Sequence, residues 1–167
     1  MAQGAGAALH AIDEQGNLPE AAWQALDAAD AIVMGTPTYM GSASWQFKKF
    51  ADETSKRWFG QAWRNKVFGG FTNSASMSGD KLCTLHGLFI LAMQHGGIWV
   101  GTGTMPSNSK DAKRDDVNYL GAFAGPMMQS PSDSSADEVV KGDLETARLY
   151  GERVAKVTSR LQLDRED

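Results

Sequence analysis

Cysteine occurs once in these 167 residues, at position 83. A lone thiol builds no disulfide framework and fits a reducing cytoplasm; on a helix it reads first as a small buried hydrophobe and second as a reactive group. Histidine is almost as scarce, with His10, His86 and His95 the only three, and no Cys/His spacing suits zinc. No apolar run reaches a membrane-spanning length, and Met1-Ala2-Gln3-Gly4 lacks the charged and apolar regions of a signal peptide. An excess of basic residues is missing too. The formal charge is −4, and the pairs Lys48-Lys49, Lys56-Arg57 and Lys113-Arg114 are scattered, which gives little reason to bind nucleic acid or an anionic membrane. Neither a Ser-His-Asp order with a nucleophile elbow nor paired carboxylates on one helical face can be found. What remains is 42% hydrophobic and 22% charged, the composition of one globular domain over 1–167.

Short apolar runs alternate with helical periods along the chain. Strands are expected at 7–12, 31–35, 67–71 and 98–101, and helices from Pro19-Glu20 to Asp30, through Gln46 to Thr54, and from Asp80 through Met93. Phe47 and Phe50, spaced i, i+3, should face the sheet, and Trp23 and Leu26 share a face of their helix. The alternation predicts an α/β fold with a parallel, doubly wound sheet and right-handed crossovers. Residues 102–133 hold no sustained period and read as a functional loop. A last helix should run from Ser135 or Ala136 to about Leu163, with an apolar stripe of Leu144, Ala147, Leu149, Val154, Val157 and Leu161. Ser135 and Glu138 have the spacing of a capping box, and the tail 164–167 should fray.

The richest segment is Gly35-Thr36-Pro37-Thr38-Tyr39-Met40-Gly41, where a buried strand opens into a glycine-bounded turn. Open α/β sheets bind ligands at such strand ends, although an ordinary strand-to-helix turn would read the same way. Residues 72–79 and 102–124 repeat the arrangement, so three loops point to one sheet edge. They offer hydroxyls, amides and aromatics with few charges, a lining that suits an uncharged planar ring bringing its own reactivity. Gly101-Thr102-Gly103 lacks the third glycine of a nucleotide fingerprint.

Gly35-Thr36-Pro37-Thr38-Tyr39-Met40-Gly41, Thr72-Asn73-Ser74-Ala75-Ser76-Met77-Ser78-Gly79, Gln94-His95-Gly96-Gly97, Asn118-Tyr119-Leu120-Gly121-Ala122 and Leu144-Glu145-Thr146-Ala147-Arg148-Leu149-Tyr150-Gly151 together resemble the flavodoxin-like flavoproteins. Among these the chain is most similar to the NAD(P)H:quinone oxidoreductases related to the tryptophan-repressor-binding protein. That resemblance implies a flavodoxin-like three-layer sandwich, an FMN cofactor, NADH or NADPH as electron donor, a quinone-like acceptor and a homodimer or homotetramer. Carried over by position, Thr36, Pro37, Thr38, Tyr39, Met40 and Gly41 would wrap one face and edge of the FMN ring. Thr72, Asn73, Ser74, Ala75 and Gly79 would hold its pyrimidine end. His95 would orient or protonate the acceptor oxygen, and Trp58 and Tyr119 would border the substrate. From the residues alone, His95 reads equally as a partner of a helix C-terminus, Trp58 and Trp63 as packing residues, and Tyr119 as a packing anchor. His10 and His86 read as structural.

Two departures from the family pattern stand out. The 72–79 loop is poor in glycine, and the chain opens at what resembles the end of the family's first helix, without the first strand and phosphate loop. FMN affinity well below the family's level is therefore expected. So is a sheet edge that is covered by a shift of 7–12, covered by another subunit, or left open, and with it a chain that is no stable monomer. Two alternatives to the enzyme remain: a flavodoxin-type one-electron carrier, and an inactive apo form.

Overall fold

The computed structural model describes residues 6–163; the expected fraying of 164–167 falls outside them. Strand β1 (Ala31–Tyr39) buries alternate residues, Ile32, Met34, Thr36 and Thr38, as the period of two requires. It pairs in parallel with β3 (Val67–Ser74), from Ala31 opposite Val67 to Pro37 opposite Asn73. On its far side β3 takes β4 (Ile98–Trp99) at one end and β5 (Met127–Gln129) at the other, both parallel.

Helices α1 (Glu20–Ala28), α2 (Trp45–Glu53) and α4 (Lys81–Gln94) share one face of this sheet. Their core joins Trp23, Phe47, Phe50, Leu85, Leu88 and Ala92 to Ile32, Met34, Trp63 and Phe68. The paired Phe47 and Phe50 turn inward as their spacing predicts. A short α3 (Ser55–Phe59) follows α2. On the opposite face α5 (Lys141–Leu163) is the one helix among the described residues, with Tyr150 and Val154 against Val67 and Val100. The uneven cover leaves Val33 44% exposed in the middle of β1.

The parallel α/β architecture is the one expected, with four corrections besides strand β5, which lies within the 102–133 segment read as a loop. Residues 6–12 form no strand and are mostly exposed. Three alanines in the expected strand 7–12 give little β preference, and the turn after it is tied to α2, where the Lys49 ammonium donates to the Gln15 carbonyl and to Asn17 Oδ1. Of the three outcomes for the sheet edge, the shift of 7–12 onto β1 does not occur, and no described strand covers residues 31–37 on that side. Secondly, β2 (Ser42–Ala43) runs antiparallel to β1, so the sheet is not purely parallel. Thirdly, Cys83 is exposed, since α4 is apolar on nearly every side and one face must look outward. Finally, the Ser135–Glu138 capping box closes only a 3₁₀ turn, Ala136–Glu138. Extended backbone at Val139 separates it from α5, and in α5 Leu144 faces solvent while Asp143, Thr146 and Tyr150 turn inward.

Candidate functional site

The first motif is a β-hairpin. Strand β1 continues to Tyr39, and Met40 and Gly41, with φ of 48° and 76°, form the two-residue turn that leads into β2. Two positive φ values in sequence are the signature of the turn whose twist matches a hairpin. Met40 is fully exposed at its tip, with Tyr39 exposed beside it. Ser44 then caps α2, its hydroxyl accepting the Phe47 N–H.

Because Pro37 lies opposite Asn73, the hairpin and the loop after β3 rise side by side from the C-terminal ends of two parallel strands. Beneath them the threonines are internal supports. Thr38 Oγ1 lies 2.8 Å from Thr72 Oγ1 and 2.7 Å from Thr84 Oγ1, all three buried, and Thr36 Oγ1 accepts the Ser44 N–H. Of the residues expected to hold a cofactor, Thr36, Thr38 and Thr72 therefore spend their hydroxyls inside the protein. Pro37, Tyr39, Met40, Gly41, Asn73, Ser74 and Ala75 remain at the edge. Gly79 needs to be glycine for an internal reason, since a Cβ there would lie 2.5 Å from Ser74 Oγ.

The 74–79 loop is folded around Lys81, a completely buried lysine at the start of α4. Its ammonium donates to Ser74 Oγ at 2.9 Å and to the Ser76 carbonyl at 2.5 Å. Burial pushes this ammonium below the ordinary lysine range, the Arg114 charge adds to that, and Asp143 opposes it. Asp143, nearly fully buried, accepts hydrogen bonds from both terminal nitrogens of Arg114 and from the Gln129 backbone N–H, leaving the Gln129 side chain free for the loop. The Gln129 amide in turn donates to the Ala75 carbonyl at 2.8 Å. The long 102–126 segment is clamped by buried Asn118, whose side chain bridges the Thr104 carbonyl and the Ala122 N–H. Tyr119 sits half-buried below the Arg114 guanidinium, 5.8 Å from its ring centre.

His95 is not brought to these loops within the chain. It follows α4, which starts at the loop edge and ends beside the N-terminal end of β4, so it lies at the other end of the sheet. There it is 4% exposed, 4.7 Å from the Trp63 ring centre, with Nε2 2.9 Å from Thr54 Oγ1. Burial pushes its imidazole below the ordinary value, and Nδ1 has no hydrogen-bond partner among the described residues. The grouping of His95 with the two loops is thus corrected for a single chain: the helix length carries it away from them. Trp58, on α3, is likewise removed from the loops and half exposed, whereas Trp63 is fully buried core.

Lys81, Gln129 and Asp143 are missed by motif reading, and Asn118, although it opens the 118–122 motif, is given no role by it. One signal was available for Lys81, because a cation in the first turn of a helix opposes the helix dipole and needs a specific partner. Asn118, at φ 52°, gives no such sign, as asparagine is common in loops of every kind.

Residues 7–111 match the family model described as NADPH-dependent FMN reductase. "Flavodoxin FldP" of Pseudomonas aeruginosa is 56% identical over 160 residues, 96% of this chain and 87% of that protein. An "NAD(P)H dehydrogenase (quinone)" of Trichlorobacter lovleyi is 32% identical over 145 residues, 87% of this chain and 69% of its own length. Among solved structures, the flavodoxin, WrbA-like protein from Agrobacterium tumefaciens superposes with a TM-score of 0.69 at 56% identity, covering 90% of this chain and 80% of that one. The matches run over nearly the whole sequence, and the chain belongs to the NADPH-dependent FMN reductase family, among its flavodoxin-like members.

Proposed function

We propose that the chain binds FMN between the 37–41 hairpin and the 74–79 loop and passes two electrons from NADH or NADPH to a quinone-like acceptor. The observation that carries this reading is the orientation of the second loop. The Ala75 and Ser76 carbonyls turn toward Gln129 and Lys81. In a planar trans peptide the N–H points opposite to the carbonyl, so the amides of Ser76 and Met77 face away from those partners. Two adjacent outward amides suit the carbonyl-rich edge of a flavin ring, and the exposed Tyr39 and Met40 offer flat, polarisable surface for its face.

The flavin, when bound, supplies the hydride chemistry. The protein's part is positional. Pro37 stiffens the hairpin base, Ser76 and Met77 offer donors, and Tyr119, fixed by the Asn118 clamp and the Arg114 cation, borders the acceptor side. Placement of the reactants at one ring face supplies the proximity that the reaction needs. His95 and Trp58 would take part only toward a ring held by a second subunit.

Titration of the purified chain with riboflavin and with FMN, followed by NADH- or NADPH-driven reduction of a soluble benzoquinone, tests the proposal. Flavin binding with quinone reduction is expected. Flavin binding without nicotinamide oxidation would favour the one-electron carrier, the reading suggested by the relative named flavodoxin. Failure to bind either flavin would leave the inactive apo form.

A further inference from the structure

Lys81 is an unusual residue for its position: a lysine with no exposed surface, at the positive end of a 14-residue helix, in a chain with few charges near its loops. Burial and the helix dipole both work against its charge. Its compensation comes from Ser74 Oγ and the Ser76 carbonyl, and from the Asp143 carboxylate across the gap. Ser74 Oγ also donates to the same Ser76 carbonyl, at 3.3 Å, so one carbonyl is drawn inward by two donors. Gly79 lets the chain close over this cage, since a Cβ there would strike Ser74 Oγ.

We propose that Lys81 is a positioning residue for the flavin ring: its ammonium holds the Ser76 carbonyl inward, so that the Met77 N–H is presented to the ligand, and its charge lies behind the ring's pyrimidine edge. This inference rests on the functional reading above. Arg114 is offset by Asp143 and Asp115, whereas the Lys81 ammonium lies directly against the loop. A positive charge behind the loop favours the electron-rich, reduced ring over the oxidised one. Gln129 does the parallel task for the Ala75 carbonyl without a charge.

The test compares riboflavin affinity and the midpoint potential of the bound flavin in the wild-type chain, Lys81→Met, Gln129→Ala and Tyr150→Phe. Riboflavin is the probe because it reads ring contacts alone. Lys81→Met should bind about tenfold more weakly or worse, the loss of one charge-assisted hydrogen bond, and its flavin should have a more negative potential. Tyr150→Phe perturbs the opposite face of the sheet and should keep both values, which separates positioning from general destabilisation. Riboflavin affinity within twofold of wild type and an unshifted potential in Lys81→Met would overturn the inference. Should Lys81→Met not fold, Gln129→Ala, altered at an exposed contact, decides: weakening of about threefold or more supports loop positioning, and unchanged affinity overturns it. A wild-type chain that binds no flavin would instead overturn the functional reading itself.

Discussion

Tyr150 occupies the space that a side chain on Gly69 would need: a Cβ at Gly69 would lie 2.3 Å from the phenolic oxygen. The hydroxyl accepts the Gly70 N–H at 3.0 Å and donates to the Val100 carbonyl at 2.7 Å, so one side chain of α5 bridges β3 and the residue following β4. Gly69→Ala should therefore destabilise the chain more than Tyr150→Phe, because backbone and ring cannot both stay in place. Tyr150→Phe should cost about 1–2 kcal/mol in denaturant melts.

The same phenol sets an alkaline limit. Burial pushes Tyr150 up to about 12, above the ordinary value of 10.0. A proton held more tightly in the folded state contributes stability that is complete below the unfolded value and lost as pH rises toward the folded one. Stability should fall between about pH 10 and 12 in the wild type, and the fall should shrink in Tyr150→Phe when urea midpoints are followed over that range.

His95 should act in the opposite direction. Its imidazole is pushed down by burial, so its contribution is present above the unfolded histidine value and is lost as pH falls through the folded one. Thermal melts of the wild type should weaken below about pH 6.5. In His95→Gln this acid-dependent component should be absent, with the melting temperature lower throughout because the contact with Trp63 is lost.

The triad of hydroxyls under the hairpin gives a fourth expectation. Thr38→Val removes the oxygen shared by Thr72 and Thr84 and leaves both in a dry site. A loss of about 1–3 kcal/mol is expected, with Thr38→Ser close to wild type. Equal unfolding midpoints for the Val and Ser variants would show that Thr72 and Thr84 satisfy each other without Thr38.

Asp143→Ala should be among the most damaging single changes. It strips the buried acceptor from Arg114 and from the Gln129 N–H, and removes a carboxylate whose charge favours the Lys81 ammonium. Leaving such charges unpaired costs about 3–5 kcal/mol, less where water reaches Arg114. Asp143→Asn, which keeps an acceptor, should lose less in the same melts.

Much of this arrangement was legible in the chain. The runs at 31–35 and 67–71 and the inward pair Phe47 and Phe50 follow from apolar period alone, and the structure places them as expected. The 37–41 and 74–79 segments were legible as neighbours because parallel strands bring their C-terminal ends to one edge. The failures share a cause: each depends on a partner far away in sequence. Thr38 reads as a ligand hydroxyl until Thr84 is seen 2.7 Å from it. His95 reads as the group that orients or protonates the acceptor until α4 is given its full length. Lys81 and Asp143 belong to no motif, and Asp143 lies on the inward face of a helix whose Leu144 looks outward. Residues 7–12 read as a strand because a strand needs only a local pattern to be proposed, but requires a neighbour to exist.

The one-sided pairing of β1 has a consequence for solvent exchange. The Val67 N–H bonds to the Asp30 carbonyl, and the parallel register carries this phase along the strand. The amides of Ile32, Met34 and Thr36 then point into β3, while those of Ala31, Val33 and Gly35 point away from it. Among the described residues no strand takes up this outer row. Deuterium should consequently enter β1 in an every-second-residue rhythm, fast at 31, 33 and 35 and slow at 32, 34 and 36. Pro37 falls in the fast phase with no amide to exchange, so the outward row of donors ends at Gly35, just below the hairpin.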